Sequence, residues 1–183
     1  MIHFWSDPHI MHDNVITYCD RPFSSVDEMN EALIENYNKK VSKKDVVFCL
    51  GDLAFKTSYK REEIKVILSR LNTIPILIRG NHDKLKHMLD LGLTQVYNEA
   101  YLHLSDKIVW LNHFPINLHD KREGLIRPSA RMKWDLALFG HTHCKKEDRE
   151  VYDNWNKLIG LNVGVDAWDY SPVSWDEIME IYF

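Results

Sequence analysis

Short apolar runs in this sequence end in polar clusters, and this phasing constrains the fold more than any other feature. Residues 2–6, 45–50, 75–78 and 136–139 have the length and apolar content of buried strands. Between them, residues 24–40 and 61–71 carry apolar side chains at helical spacing. Strands that alternate with helices are typical of layered α/β folds, in which loops at the carboxyl ends of the strands form the site.

Weaker patterns complete the predicted order of elements. Ser24 or Ser25 can cap the helix that runs to about residue 40, and another helix is predicted to begin near Lys84. Further strands are predicted at about 95–104, 108–112, 158–165 and 177–183. Because the chain has no internal repeat, low-complexity tract or linker-like segment, we expect residues 1–183 to form a single domain.

The composition excludes several classes of protein. The 23 basic and 27 acidic side chains give a net charge of −4, so attachment to long nucleic acid through bulk positive charge is not expected. The longest apolar run, 46–50, is far shorter than the roughly 20 residues of a membrane-spanning helix. Three cysteines without CxxC spacing exclude a disulfide scaffold or an all-cysteine zinc site. No signal-peptide pattern opens the sequence, so we expect a cytoplasmic protein, and its oligomeric state stays open.

The residues at the strand ends are carboxylates, imidazoles and one carboxamide. They are Asp7, His9, Asp52, Asn81, His82, Asp83, His113, His141 and His143. Oxygen and imidazole ligands suit divalent Mn, Fe, Zn, Co or Ni. The set is large enough for two ions that share one bridging carboxylate, and two ions about 3.5–4 Å apart can clamp the attacking and leaving oxygens of a phosphoryl group.

Each cluster by itself also has a purely structural interpretation. Asp7-Pro8-His9 and Gly51-Asp52 could be polar turns. Asp83 could be the N-cap of the helix that begins near Lys84. These interpretations do not explain why five clusters follow the strands in the same phase, and that regularity favours a metal site.

Taken in order, the clusters read D-x-H at Asp7, G-D at Asp52, G-N-H-D at 80–83, H at His113 and G-H-x-H at 140–143. This series resembles the calcineurin-like metallophosphoesterase superfamily. Asn14, Arg21-Pro22-Phe23 and residues 162–166 resemble a compact bacterial and phage branch of it. The resemblance implies an α/β (α+β) fold, a four-layer αββα sandwich in which helices flank two mixed β-sheets.

The resemblance also implies a role for each residue of the set. The first ion would be held by Asp7, His9, Asp52 and His143, and the second by Asp52, Asn81, His113 and His141. Asp52 would bridge the two ions, with Mn as the first candidate and Fe, Zn, Co or Ni as alternatives. A bridging hydroxide would attack phosphorus, while His82 protonates the leaving oxygen or stabilises the transition state and Asp83 orients its ring.

The predicted substrate is a phosphodiester, a small nucleotide or another small phosphate ester. The segment from His119 to Trp134 contains five basic and two acidic residues, and Arg127 and Arg131 are candidates for substrate binding. His12, three residues after His9, is a third candidate. The alternatives are a solvated basic loop and an ordinary surface histidine.

Two other functions compete with the small-molecule phosphoesterase. The superfamily includes a retromer subunit that uses the fold as a protein-interaction scaffold, but that branch lacks the histidine that stands here as His82. It also includes DNA-processing nucleases, which usually carry additional DNA-binding elements. The net charge of −4 and the single basic loop make a nuclease acting on long DNA the less favoured function.

Overall fold

The computed structural model describes residues 1–116, 133–152 and 157–182. Within them, ten strands and five α-helices form two five-stranded sheets with helices packed against them. The elements are β1 (Ile2–Trp5), α1 (Asp13–Tyr18), α2 (Val26–Lys40), β2 (Val46–Cys49), α3 (Arg61–Ser69), β3 (Ile76–Ile78), α4 (Leu85–Asp90), β4 (Val96–Tyr97), β5 (Ala100–Leu104), β6 (Lys107–Leu111), β7 (Leu136–Phe139), β8 (Glu150–Tyr152), β9 (Leu158–Asn162), β10 (Val173–Ser174) and α5 (Trp175–Tyr182).

Both sheets are mixed. The first has the order β10-β1-β2-β3-β4, with β1 to β4 parallel and β10 antiparallel to β1. The second has the order β5-β6-β7-β9-β8, with β6, β7 and β9 parallel and antiparallel strands at both edges. The parallel strands of each sheet therefore end at one shared edge, where the polar clusters follow.

Alternate residues of each strand face opposite layers. Phe4, Phe48 and Ile78 of the first sheet share one buried cluster with Leu111 and Leu138 of the second. This cluster is the interface between the two sheets. Since removal of apolar surface from water is the main favourable contribution to folding, the interface holds the two sets of strand ends together.

The other face of the first sheet is covered by helices. Trp5, Cys49 and Leu77 are fully buried there against Met29 and Tyr37 of α2. The start of α2 is as predicted, since the hydroxyl of Ser25 accepts the N–H of Glu28. On the outer face of the second sheet, Trp110 and Ala137 cluster with loop and strand residues. Two mixed sheets with flanking helices confirm the predicted fold class.

Three predicted elements differ in the structure. Residues 95–104 form two strands, β4 and β5, which belong to different sheets. The strand predicted at 158–165 ends at Asn162, and a short 3-10 helix, Val165–Ala167, follows. The strand predicted at 177–183 is wrong, because Trp175–Tyr182 is the helix α5. Ser174 and Glu177 form its capping box: the hydroxyl accepts the N–H of Glu177, whose carboxylate accepts the N–H of Ser174.

The helix α1 was not predicted. Its six residues are too few for a clear helical period, and Val15 is its one fully buried residue, with Ile16 partly buried against the core. In the described ranges, none of the helices is long and apolar enough to cross a membrane.

Candidate metal centre

The polar residues of five motifs converge where β1, β2, β3, β6 and β7 end. The first three strands belong to one sheet and the other two to its partner, so the loops meet across the sheet interface. The motifs are close enough for direct backbone hydrogen bonds. The N–H of Asp7 donates to the carbonyl of Gly51 (3.0 Å), and the N–H of His9 to that of Asp52 (3.1 Å).

Five residues of the site have left-handed backbone conformations. Their φ angles are +56° at Asp7, +50° at His9, +51° at Asp52, +69° at His141 and +48° at His143. Such angles are uncommon for residues with a side chain and cost on the order of 1–3 kcal/mol each where the backbone is strained. Strain of this kind clusters at functional sites, where it turns side chains toward one point.

Two glycines allow the loops to approach each other. A Cβ at Gly80 would collide with the carboxylate of Asp52, and a Cβ at Gly140 would collide with Ser6 and with the carboxylate of Asp7. Any side chain at either position would therefore displace a candidate ligand.

Asp7, His9 and His143 form the first half of the cluster, which we call the Asp7 half. The Nε2 atoms of His9 and His143 are 3.3 Å apart, and Nε2 of His143 is 3.9 Å from Oδ1 of Asp7. One ligand atom from each of the three residues lies within 4.8 Å of the others.

Asn81, His113 and His141 form the second half, which we call the Asn81 half. Oδ1 of Asn81 is 3.0 Å from Nε2 of His113 and 3.1 Å from Nδ1 of His141, and those two nitrogens are 3.2 Å apart. Separations of about 3 Å are those of neighbouring ligand atoms around an ion bound at about 2.1 Å.

Asp52 lies between the two halves. Its Oδ2 is 3.7 Å from Nε2 of His9 and 3.5 Å from Nε2 of His113. Its Oδ1 accepts the backbone N–H of His82 at 2.9 Å, which fixes the rotation of the carboxylate. The residue implied as the bridging ligand is therefore the one that contacts both sets.

The donor set fits divalent cations. Oδ1 of Asp7 is buried and has no hydrogen-bond partner in the structure, which is costly for a carboxylate oxygen unless a cation satisfies it. Burial, with the nearby charge of Asp7, raises the pKa of Asp52. Burial, with the nearby His143, lowers the pKa of His9 well below its usual value. Neutral imidazoles and crowded carboxylates around one point are the ligands that borderline divalent ions prefer.

The outer ring nitrogens of two histidines are also engaged. Nδ1 of His113 donates to the carbonyl of Leu50 (2.8 Å), and Nδ1 of His143 donates to Oδ2 of Asp166 (2.8 Å). A carbonyl or carboxylate can only accept, so in the neutral form of each ring Nε2 has a lone pair directed at the cluster.

A buried ion pair braces the Asp7 half. The Arg21 guanidinium donates from Nε and Nη2 to the two oxygens of Asp166, both at 2.9 Å, and to the carbonyls of Asp7 and Pro8. Burial lowers the pKa of His143, but its hydrogen bonds with Asp166 and Cys19 and the charges of Asp7 and Asp166 together outweigh burial and raise the pKa to about 10. Burial likewise raises the pKa of Asp166, and its bonds with His143 and Arg21 reverse the shift. Sequence reasoning assigned neither Arg21 nor Asp166 a role; the only signal was their place in the branch-specific motifs.

Asp83 has a different position from the one the resemblance implied. Its carboxylate accepts the backbone N–H groups of Asp52 (2.7 Å), Leu53 (3.1 Å) and Gly80 (2.8 Å). Among the described contacts, the His82 ring is not a partner, so Asp83 ties two ligand loops together instead of orienting that ring. These acceptor bonds oppose the effect of burial, which raises its pKa to about 6.

His82 and His12 line a cavity of 450 Å³ beside the cluster. The His82 side chain is 42% exposed, and its Nε2 lies 3.9 Å from Oδ2 of Asp52. The His12 ring stacks on Phe55 at 3.9 Å between centroids, and its Nδ1 is 3.3 Å from Nδ1 of His9. Burial, with the neighbouring His82, lowers the pKa of His12 to about 4, so the ring is neutral at pH 7.

Two predictions lie outside the described residues, and one cysteine was missed. Arg127 and Arg131 fall in the range 117–132, which the structure does not describe. Cys19, for which no site role was predicted, has its sulfur within 4.8 Å of ligand atoms of His143 and Asp166. No local motif marks Cys19, because only the tertiary fold brings the end of α1 to the cluster.

A model of the calcineurin-like phosphoesterase superfamily domain matches residues 2–169. The chain belongs to this superfamily. An uncharacterized protein of Methanocaldococcus jannaschii is 34% identical to this chain over 180 residues, which are 98% of this chain and 90% of that protein. The Gene 66 protein of Mycobacterium phage D29 is 28% identical over 195 residues, or 97% and 94% of the two chains.

A solved structure shares the fold. The crystal structure of a protein of unknown function from Aquifex aeolicus matches with a TM-score of 0.72 and 23% identity, covering 99% of this chain and 98% of that one.

Membership of the calcineurin-like phosphoesterase superfamily confirms the resemblance noted in the sequence. Together with the cluster of candidate ligands, it supports a metal-dependent phosphoesterase.

Proposed function

We propose that the protein is a dinuclear metal-dependent phosphoesterase that hydrolyses a phosphodiester or a small nucleotide ester. The observation that carries this proposal is the Asp52 carboxylate, whose Oδ2 lies within 3.7 Å of a histidine from each half of the cluster. A carboxylate shared by two ligand sets suits two ions a few ångströms apart. Such a pair supplies charge neutralisation at the phosphoryl group and acidifies a water for attack.

The two halves would hold one ion each, with Mn²⁺ as the first candidate. Nitrogen and oxygen donors without a thiolate in either half admit Mn, Fe, Zn, Co or Ni. Asp7, His9, His143 and Asp52 would hold the first ion, and Asn81, His113, His141 and Asp52 the second.

His82 is the proposed proton donor to the leaving oxygen. Its ring is exposed to the cavity, and its backbone N–H is bonded to Oδ1 of Asp52, so the side chain starts from a fixed point beside the ligands. Its neighbour Asn81 belongs to the ligand set, which leaves the His82 ring available for proton transfer.

The cavity favours an organic ester over inorganic phosphate. Beyond the ligands, its wall includes Val15, Tyr18 and Phe55, and its volume of 450 Å³ accommodates a planar or apolar leaving group. This lining supports the diester and nucleotide substrates, which carry organic groups next to the scissile phosphate.

The test is hydrolysis of bis-p-nitrophenyl phosphate and of p-nitrophenyl phosphate by chelator-stripped protein, before and after Mn²⁺ is restored. We expect turnover to require the metal and the diester to be the better substrate. A preparation that binds two ions per chain but cleaves neither ester would contradict the enzyme and favour the scaffold function. Salt-sensitive cleavage of plasmid DNA would favour the nuclease.

The role of His82 is tested with a series of aryl diesters whose leaving groups differ in basicity. Protonation matters most for the most basic leaving group, so His82→Gln should lower kcat more for phenyl than for p-nitrophenyl esters, by about 10²-fold at the basic end. His103→Gln, at an exposed position in β5, is the matched control. An equal loss across the series would show that His82 does not donate the proton.

A further inference from the structure

A second cavity borders the metal centre and differs in chemistry from the one beside His12. Its volume is 470 Å³, and its lining includes Arg79, Asn81, Lys84, Asn98, Asn112 and Phe114. Asn81 connects it directly to the centre, because Oδ1 of that residue is the atom that lies between His113 and His141. A group bound in this cavity would therefore adjoin the Asn81 half.

The Arg79 side chain is held in position. Oδ1 of Asn98 accepts from both Nε (3.1 Å) and Nη2 (2.7 Å) of the guanidinium. A guanidinium has five N–H donors, so the remaining ones are available to a ligand. Asn98 is a neutral partner, and no carboxylate of the described residues forms an ion pair with Arg79.

The other polar groups that face this cavity are also donors or are already engaged. Lys84 is exposed and has no ion-pair partner among the described residues. Asn112 is buried, and its Oδ1 accepts the N–H of Phe114, which leaves the amide NH₂ to donate. The acid in the wall, Asp83, is buried and accepts three backbone N–H groups.

Two cations and an amide donor around one cavity select an anion. A sugar or a base would need acceptors as well as donors, whereas phosphate oxygens accept from guanidinium, ammonium and amide groups together. The first cavity has an apolar wall with Val15, Tyr18 and Phe55, so the two sides of the metal centre differ in the substituent they can accommodate.

We propose that the Arg79–Lys84 cavity binds a second phosphoryl group of the substrate, so that the enzyme acts on esters with two phosphates, such as nucleoside bisphosphates or pyrophosphate-linked nucleotides. This proposal rests on the proposed function, since the scissile phosphate is the one over the metal centre. The second phosphate distinguishes these substrates from simple diesters.

The test is competitive inhibition of bis-p-nitrophenyl phosphate hydrolysis by AMP, ADP and adenosine 3′,5′-bisphosphate. We expect at least one of the two-phosphate ligands to inhibit roughly tenfold more strongly than AMP. In Arg79→Gln/Lys84→Gln, which keeps hydrogen-bonding groups but removes both charges, this ratio should fall to nearly one. Lys86→Gln, an exposed lysine of α4 that does not line the cavity, is the control that should keep the ratio.

Two outcomes would overturn the proposal. One is that neither two-phosphate ligand inhibits the wild-type protein better than AMP, and the other is that the advantage survives in the double variant. If the wild-type protein shows no turnover, the proposed function fails, and the cavity is judged separately. Calorimetric titration of the same three ligands then measures the same ratio without catalysis.

Discussion

The Asp7 half of the candidate metal centre is braced by a buried ion pair, whereas in the described residues the Asn81 half has no such pair and one of its candidate ligands is exposed. Behind His143, Asp166 and Arg21 form a chain of charge-assisted hydrogen bonds, and the Arg21 side chain is fully buried. In the other half, Asn81 is exposed, His141 is half-buried as His143 is, and His113 is fully buried. The brace of His113 there is a neutral carbonyl, that of Leu50.

This difference predicts that the two halves would bind a divalent cation with different affinities. The Asp7 half has a carboxylate of its own and a preorganised histidine, so it is expected to bind a divalent cation more tightly. The Asn81 half shares its one carboxylate, Asp52, and adds neutral ligands. An ion in this half is expected to bind more weakly and to exchange faster. The Arg79–Lys84 cavity adjoins this half.

The largest expected effect is that of Asp52→Asn, because Asp52 contacts both halves. We expect hydrolysis of bis-p-nitrophenyl phosphate to fall on the order of 10³-fold and Mn²⁺ affinity to weaken in both halves, as measured by kinetics and calorimetry. Asp106→Asn, at an exposed turn, is the control. Retention of two tight ions in Asp52→Asn would remove the basis for treating the halves as linked.

Asp166→Ala should affect the Asp7 half alone. Loss of the carboxylate leaves the buried charge of Arg21 unpaired, which costs about 3 kcal/mol of stability, and it should weaken the tighter ion by about 10- to 100-fold. Adding Arg21→Met should restore part of the stability but not the metal affinity, because the partner of His143 is still missing. Denaturant unfolding and Mn²⁺ titration separate the two effects. If the double variant also regains affinity, the brace acts only through stability.

Asn81→Ala should produce the converse result. The Asn81 half should bind its ion about tenfold more weakly, while the affinity of the Asp7 half is unchanged, because a neutral ligand is removed from one half only. The free energy of unfolding should change by less than about 0.5 kcal/mol, since the side chain is exposed. Asn36→Ala in α2 is the matched control. Equal weakening of both ions would contradict independent halves.

The smallest effect is expected for an ion pair far from the centre, Lys40 with Glu177. Burial raises the pKa of Glu177, but its bonds with Lys40 and Ser174 outweigh burial and lower it. Because its pKa is lowered in the folded state, Glu177 contributes to stability above about pH 4.5, and this contribution is lost as the pH falls through the folded-state pKa. Since the pair is partly exposed, Glu177→Gln should cost less than about 1 kcal/mol at pH 7.

Thermal unfolding across the pH range checks this last prediction. The difference between Glu177→Gln and the wild-type protein should shrink as the pH falls through the lowered pKa of Glu177 and its carboxylate takes up a proton. Activity at pH 7 should be unchanged. A cost as large as that of Asp166→Ala would mean that burial does not distinguish the two ion pairs.

The candidate ligands could be selected from the sequence because each of them follows a strand. An apolar run marks the strand, the polar motif marks its end, and parallel strands bring those ends to one edge. Local patterns therefore identified Asp7, Asp52 and His141 as candidate ligands, and the family resemblance implied how they would be divided between two ions. The helix α5 was mistaken for a strand because seven residues, 177–183, carry too short a period; the capping signal at Ser174 lay just before them.

The ion pair of Arg21 with Asp166 and the bonds of Asp83 to two of the loops could not be predicted in the same way. Arg21 and Asp166 are 145 positions apart, and the branch-specific motifs that contain them carry no signal that the two side chains pair. Asp83 belongs to a motif, but the atoms that its carboxylate contacts are backbone N–H groups. Every residue except proline has such a group, so no pattern of side chains can identify the partner.

The sequence by itself determined the types of candidate ligand, the strands that carry them and the family to which the chain belongs, since these depend on motifs of residues close together along the chain. The tertiary structure alone decided that Asp52 contacts both halves, that Arg21 and Asp166 brace only one of them, and that an apolar and a cationic cavity lie on different sides of the centre. These features depend on distances between segments from separate sheets and loops. Such distances are set by packing across the sheet interface and not by local spacing.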